Sequence, residues 1–164
     1  MKIGVISDTH DNLDAVKSVV ELLNEEGVEY VFHAGDIISP FTVDVLGKLK
    51  CSVTAVYGNN DGEKKHLKTK FDSKGFRLDG RFAEQTLDGK KIAVFHGDIP
   101  QFVSALINCK TYQAVFFGHT HQVYCKKING VLALNPGEVC GYLSGEKTFA
   151  IVDLSTMTAE VKKL

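Results

Sequence analysis

The chain has 164 residues, 44% of them hydrophobic, and a formal net charge of −1. That is enough apolar material for a sizeable core, and a single domain over residues 1–164 is expected. The near-zero charge gives no electrostatic case for bulk nucleic-acid or membrane-surface binding, and no apolar run approaches the roughly 20 residues that span a bilayer.

Lys2–Ile6 reads as a buried strand ending in Ser7-Asp8-Thr9-His10. It begins almost at the first residue, with no signal-peptide layout, so a cytoplasmic protein is expected. Asn12 or Asp11 can then cap a helix running to about Glu26, with Leu13, Val16, Val19, Val20 and Leu23 at helical spacing and Gly27 as its stop. Tyr30–Ala34 is the next strand, ending in Gly35-Asp36. Ser39 follows as a cap, with Pro40 at the first helical position. Ser52–Tyr57 is a third strand, ending in Gly58-Asn59-Asn60-Asp61. The β-α-β-α-β order implies parallel strands with right-handed crossovers.

Residues 62–80 break this rhythm. They are polar and hold Lys64, Lys65, His66, Lys68, Lys70, Lys74 and Arg77. We expect a long loop with at most a short helix, either a solvated surface or a basic edge that attracts anions. Arg81–Leu87 and Lys90–Phe95 then flank the hairpin signal Asp88-Gly89. A helix over Pro100–Asn108 and a strand over Tyr112–Phe117 follow. Gln122–Ile128 and Val131–Leu134 flank a second hairpin signal, Asn129-Gly130, and Thr148–Leu154 and Met157–Lys162 are the last strands. Parallel pairs early and hairpins late suggest two mixed sheets packed face to face with helices outside. The four cysteines are widely spaced and form no CxxC pair, so zinc-finger and thioredoxin arrangements fail and reduced thiols are expected.

Five apolar strands end in the same way. They deliver Asp8 and His10, then Asp36, then Asn59, then His96, then His119 and His121, and a glycine directly precedes Asp36, Asn59 and His119. Gly118 is expected to let the chain turn sharply where its strand ends. Alone, Gly118-His119-Thr120-His121 is either a metal clip or two polar residues on one strand face. Ligand sites in open α/β sheets collect outside the carboxyl ends of strands, so all seven residues can share one rim. Seven N/O donors exceed the three or four protein ligands of one zinc site and suit two metals sharing a carboxylate. Such a pair, about 4 Å apart, activates water and stabilises attacking and leaving oxygens in an in-line displacement.

Asp8-Thr9-His10, Gly35-Asp36, Gly58-Asn59-Asn60-Asp61, His96-Gly97 and Gly118-His119-Thr120-His121 occur in the order seen in the calcineurin-like metallophosphoesterases. The short chain resembles the small bacterial and archaeal phosphodiesterases of that superfamily, and the likeness runs to about Leu154. The resemblance implies a four-layer α/β/β/α sandwich with a dinuclear centre at the strand ends. It assigns Asp8, His10, Asp36 and His121 to one divalent ion and Asp36, Asn59, His96 and His119 to the other, with Asp36 as the bridge. Manganese is the first expectation for both ions, with iron, zinc or nickel as alternatives that the mixed N/O set does not exclude. A homo-oligomer is suggested by the same likeness.

Asn59, Asn60, Asp61 and Asp98 are the candidate catalytic residues. Three departures from the family pattern bear on them. Many relatives have a histidine at the position of Asn60, thought to protonate the leaving group. An amide cannot do so, and losing a general acid costs about 10²–10⁴-fold in rate. Relatives often have a second histidine at position 98. Asp98 is a replacement acid, an anionic group behind the metals, or the cap of the helix near Pro100. Glu138 stands where the family often has serine after Asn135-Pro136-Gly137, and would repel a phosphate unless paired or bound to metal. His33 is either a donor behind the centre or a packed strand histidine. The expected function is hydrolysis of small phosphodiesters by a metal-activated hydroxide. The rivals are phosphomonoester hydrolysis and a non-catalytic scaffold like the related subunit of the retromer complex.

Overall fold

A computed structural model describes residues 1–164. In chain order the elements are β1 (Lys2–Ile6), α1 (Leu13–Glu25), β2 (Tyr30–His33), α2 (Pro40–Leu46), β3 (Ser52–Ala55), α3 (Lys64–Ser73), β4 (Arg77–Leu78), β5 (Phe82–Leu87), β6 (Lys90–Phe95), α4 (Pro100–Asn108), β7 (Ala114–Phe116), β8 (Val123–Ile128), β9 (Val131–Pro136), β10 (Thr148–Asp153) and β11 (Thr158–Lys163). One sheet has six strands in the order β11-β10-β1-β2-β3-β4, and the other has five in the order β5-β6-β7-β9-β8. β1 to β4 run parallel, as do β6, β7 and β9, while the remaining pairings are antiparallel. Both sheets are therefore mixed.

The period-2 alternation of the strands builds the layers. Ile3, Val5, Tyr30 and Phe32 face the second sheet and meet Ile92, Val94, Ala114, Phe116, Leu132 and Leu134. Ile6, Val31 and Val53 point the other way, onto Val16, Val20, Leu46, Leu67 and Phe71 of α1 to α3. Ala93, Phe95, Val115 and Ala133 face outward from the second sheet onto Val103, Leu106 and Ile107 of α4. The result is the four-layer α/β/β/α sandwich. Phe32 of β2 and Phe116 of β7 touch across the sheets with ring centroids 5.6 Å apart, which fixes the spacing between the strands that deliver Asp36 and His119.

Residues 62–80 are more ordered than their polarity suggests. Leu67 and Phe71, four apart, are both fully buried and seat α3 against the helical layer, and β4 adds a parallel strand beside β3. Only those two α3 residues are buried, so the segment shows a single apolar step and no sustained helical period. Asn12 is the cap of α1, with its side chain accepting from Ala15 N. Ser39 occupies the N-cap of α2 but makes no side-chain cap bond. Its hydroxyl donates instead to Asp11 Oδ1 (2.8 Å), which also accepts from Thr42 Oγ1 (2.8 Å). Asp11 thus ties α2 to the loop that carries His10. No pair of cysteines is bridged, and no helix is long and apolar enough to cross a membrane.

His33 closes β2 and is completely buried. Its Nδ1 accepts from Gly35 N (3.1 Å), so its Nε2–H is free to donate to Thr9 Oγ1 (3.1 Å). Burial pushes its pKa from 6.5 down to about 4. The unfolded chain therefore takes up a proton below pH 6.5 that the folded chain refuses until about pH 4. This group's contribution is complete above pH 6.5 and is lost as the pH falls through that window, a change of about 3 kcal/mol. Denaturant titration of the metal-free protein should show this loss between pH 7 and 4 as the difference between wild type and His33→Asn, since His10 and His96, with raised pKa values, act in the opposite sense. In His33→Asn this part of the slope disappears.

Candidate metal centre

The carboxyl ends of the parallel strands of both sheets open on one rim. β1 delivers Asp8 and His10, β2 Asp36, β3 Asn59, β6 His96, and β7 His119 and His121. β9 runs parallel to β7 and delivers Glu138. The loops are stitched together by backbone bonds. Asp8 N donates to Gly35 O, Gly118 N to His96 O, and Val139 N to Ser7 O.

Five of the seven candidate ligands have left-handed backbones: Asp8 (φ 53°), His10 (39°), Asp36 (56°), His119 (69°) and His121 (58°). Asp and His tolerate this region better than most residues, yet it still costs energy, and such strain gathers at functional sites. Two glycines make room. A Cβ on Gly58 would lie 2.1 Å from Asp36 Oδ1, and one on Gly118 would lie 1.8 Å from Ser7 Oγ and 2.5 Å from Asp8 Oδ2. Gly118 itself has no positive φ, so it is needed for close approach and not for the sharp turn expected of it.

The electrostatic arrangement is acceptor facing acceptor. His96 Nδ1 donates to Ala34 O (2.8 Å), so its Nε2 lone pair points at Asn59 Oδ1 (3.0 Å) and Asp36 Oδ2 (3.3 Å). His121 Nδ1 donates to Glu138 Oε2 (2.7 Å), so its Nε2 lone pair points at Asp8 Oδ1, 3.4 Å away. His10 Nε2 lies 3.4 Å from Asp36 Oδ2 and 3.8 Å from Asp8 Oδ1. Asp8 Oδ1 and His10 Nε2 are buried with no hydrogen-bond partner. An orphaned buried acceptor costs about 1–3 kcal/mol, and only a cation or a proton between the groups relieves it. Two atoms bound about 2.1 Å from one ion are about 3.0–3.4 Å apart, so all of these spacings except the 3.8 Å from His10 to Asp8 fit divalent metals. Asp8, His10 and His121 form one convergent group, and Asp8, Asp36 and His96 another.

Without metal, the opposed carboxylates favour protonation of the imidazoles they face. The nearby Asp8 carboxylate, with Asp36, raises the His10 pKa against the cost of burial. Burial pulls His96 down, but Asp36 and Asp8 outweigh it and raise the value. Asp36 is buried, which opposes ionisation, yet His96 and two hydrogen bonds from Asn60 hold its carboxyl well below the usual range. Those two bonds run from Asn60 N to Oδ1 (2.9 Å) and from Asn60 Nδ2 to Oδ2 (2.8 Å). His119 joins neither convergent group. Its backbone N–H donates to Asp8 Oδ2 (3.1 Å), and its ring packs edge-on against His96 at 5.2 Å.

Residues 1–157 match the calcineurin-like phosphoesterase superfamily domain. The chain belongs to this superfamily. It is 38% identical over 154 residues to the phosphodiesterase MJ0936 of Methanocaldococcus jannaschii, covering 93% of each chain. A solved structure of an archaeal phosphodiesterase superposes with a TM-score of 0.96 at 36% identity over the full length of both chains. The zinc-complexed Vps29 of Entamoeba histolytica shares the fold, with a TM-score of 0.73 at 20% identity, covering 100% of this chain and 98% of that one. Relatives named as phosphodiesterases and the family domain support a phosphoesterase, hence a hydrolase that uses divalent metal.

The other candidate residues of this phosphoesterase have defined partners. Both Asp61 oxygens accept backbone amides, from Ile37 (2.8 Å), Ile38 (2.7 Å), Gly58 (2.7 Å) and Asp36 (3.1 Å). Asp61 is buried and shapes the backbone on which Asp36 sits. Asp98 does not cap α4, whose N-cap is Ile99. One of its oxygens pairs with Arg81 and the other is buried without a partner. Glu138 is fully buried and does not face the rim as a free charge. It accepts from His121, Cys140 Sγ (2.8 Å), Tyr142 N (2.9 Å), Leu143 N (3.0 Å) and Ser144 Oγ (2.7 Å). Burial opposes its ionisation, but the bonds from Cys140, His121 and Ser144 hold its pKa down at about 2. Burial and the neighbouring Glu138 push the Cys140 thiol up to about 12, which leaves it unreactive. Gly137 precedes Glu138 as glycines precede Asp36, Asn59 and His119, a signal that marks a sixth strand end.

An anionic Glu138 fixes the His121 tautomer, as partners behind metal ligands generally do. Glu138→Gln should weaken zinc or manganese binding by about 10–100-fold in a calorimetric titration. Unchanged affinity would mean that His121 needs no such partner.

Proposed function

We propose that this phosphoesterase is a phosphodiesterase that acts on small substrates through two divalent ions. One observation carries the reading: Asp36 Oδ2 lies 3.4 Å from His10 Nε2 and 3.3 Å from His96 Nε2, between the two sets of donors. In this reading Asp8, His10, Asp36 and His121 hold one ion, and Asp36, Asn59, His96 and His119 hold the other, with manganese the first choice. When bound, such ions neutralise charge on the phosphoryl oxygens and lower the pKa of water to about 7. The chain's own residues set the rest. Asp36 stays ionised and so can bridge. His121 and His96 are held by Glu138 and Ala34 with Nε2 facing the rim. The opposed acceptors support a site that holds metal, and the relatives named as phosphodiesterases support a catalytic use of it.

Asn60 is exposed beside the centre and holds Asp36, but its amide has no acidic proton to give. Asp98 is paired with Arg81. The reading therefore has no general acid at either position and favours esters whose leaving group departs as a stable anion. The test is a panel of bis(p-nitrophenyl) phosphate, p-nitrophenyl phosphate, dialkyl phosphates and cyclic nucleotides with manganese-loaded protein. The aryl diester should be cleaved, a chelator should abolish turnover, and alkyl diesters should lag by at least about 10²-fold. Equal aryl and alkyl rates would sink the leaving-group argument. Faster cleavage of the monoester would make the enzyme a phosphomonoesterase, and no turnover with any metal would favour the scaffold.

A further inference from the structure

The segment pinned by Glu138 has a feature the metal centre does not use. Its backbone is fixed by amides of Tyr142, Leu143 and Ser144 that all bond the same buried carboxylate. Its side chains are not covered by the fold: Tyr142 is 62% exposed and Leu143 75% exposed. Two large apolar groups are thus held rigidly in water at the edge of the centre.

Both line a cleft of about 200 Å³ whose other walls are His10, His121 and Asn60. A second cleft, of about 210 Å³, is lined by Thr120, His121, Gln122, Leu143 and Ser144. His121 and Leu143 line both, so the two clefts share a candidate metal ligand and one exposed aliphatic side chain. The first cleft has an aromatic ring and an aliphatic side chain, while the second is polar apart from Leu143. Three larger surface clefts lie elsewhere, one around Leu49–Ser52 and Lys74–Phe76, one along α4 and one between Glu26 and Thr158–Glu160, and none touches a candidate ligand.

We propose that Tyr142 and Leu143 are the specificity determinants of this site. They sort the two substituents of a phosphodiester, with a flat aromatic group (an aryl ring or nucleobase) in the Tyr142 cleft and a polar group in the Thr120–Gln122 cleft. This rests on the phosphodiesterase reading. A diester has two substituents flanking phosphorus, and the site offers two chemically different clefts flanking His121. Offset stacking on Tyr142 and contact with Leu143 favour a ring over an alkyl group. Because Glu138 fixes the loop beforehand, little ordering cost falls on binding.

The test compares phenylphosphonate with methylphosphonate on the metal-loaded protein. Binding is read by calorimetry and as inhibition of bis(p-nitrophenyl) phosphate hydrolysis. The wild type should prefer phenylphosphonate by about tenfold. Tyr142→Ala and Leu143→Ala should each erase most of that preference, leave methylphosphonate affinity unchanged and raise KM for the aryl diester. Both side chains are mostly exposed, so neither change removes core packing. Phe41→Ala, an aromatic 72% exposed outside both clefts, should keep the preference. A preference that survives both cleft variants overturns the proposal while leaving the phosphodiesterase reading intact. If no ester is hydrolysed, that reading fails, and the calorimetric comparison still decides: a preference lost in the two variants supports the aromatic cleft, and equal binding of the two phosphonates overturns it.

Discussion

Hydrogen-bond acceptors held face to face in a protein interior cost free energy unless a cation or a proton lies between them. That constraint organises the rim of this molecule. Nδ1 of His96 and Nδ1 of His121 each spend their proton on an outer acceptor, Ala34 O and Glu138 Oε2. Their Nε2 lone pairs are thereby committed to face Asp36 and Asp8. The sandwich exists in a form that makes this possible. Both sheets end their parallel strands at one edge, and the Phe32–Phe116 contact sets the distance across which the two halves of the centre meet.

The cost of the arrangement is spread over the surrounding loops. Left-handed backbones at Asp8, His10, Asp36, His119 and His121 are held by bonds that have little else to do. Asp61 collects four amides under Asp36, Asp11 anchors α2 to the loop of His10, and Glu138 collects the amides of the 142–144 segment. Three buried or half-buried carboxylates thus act as knots for backbone N–H and side-chain hydroxyl groups. A site so over-determined holds its donors ready for an ion, which lowers the reorganisation needed on binding.

The strand-end donors were legible in the sequence because each follows an apolar run, three of them directly after a glycine. What was hidden is non-local. Val131–Leu134 reads as half a hairpin, and nothing local reveals that β9 also pairs parallel with β7 and so brings Glu138 to the rim. Glu138 reads as a charge that would repel phosphate. In the fold its oxygens are saturated by donors two to six residues further on and by His121. The helix α3 was masked by its lysines, since only Leu67 and Phe71 carry its buried face. Asp61 looks like a catalytic carboxylate in Asn59-Asn60-Asp61, and only burial and its amide partners distinguish a residue that builds the site from one that reaches substrate.

The most direct test of the opposed-acceptor account is anomalous diffraction from crystals loaded with manganese. The account predicts one ion bonded to Asp8 Oδ1, His10 Nε2 and His121 Nε2 and a second bonded to His96 Nε2, with Asp36 Oδ2 touching both. A peak seated instead on His121 Nδ1, Glu138 and Cys140, the third group of converging donors, would contradict it. So would crystals in which Asp8 and His96 acquire no metal at all.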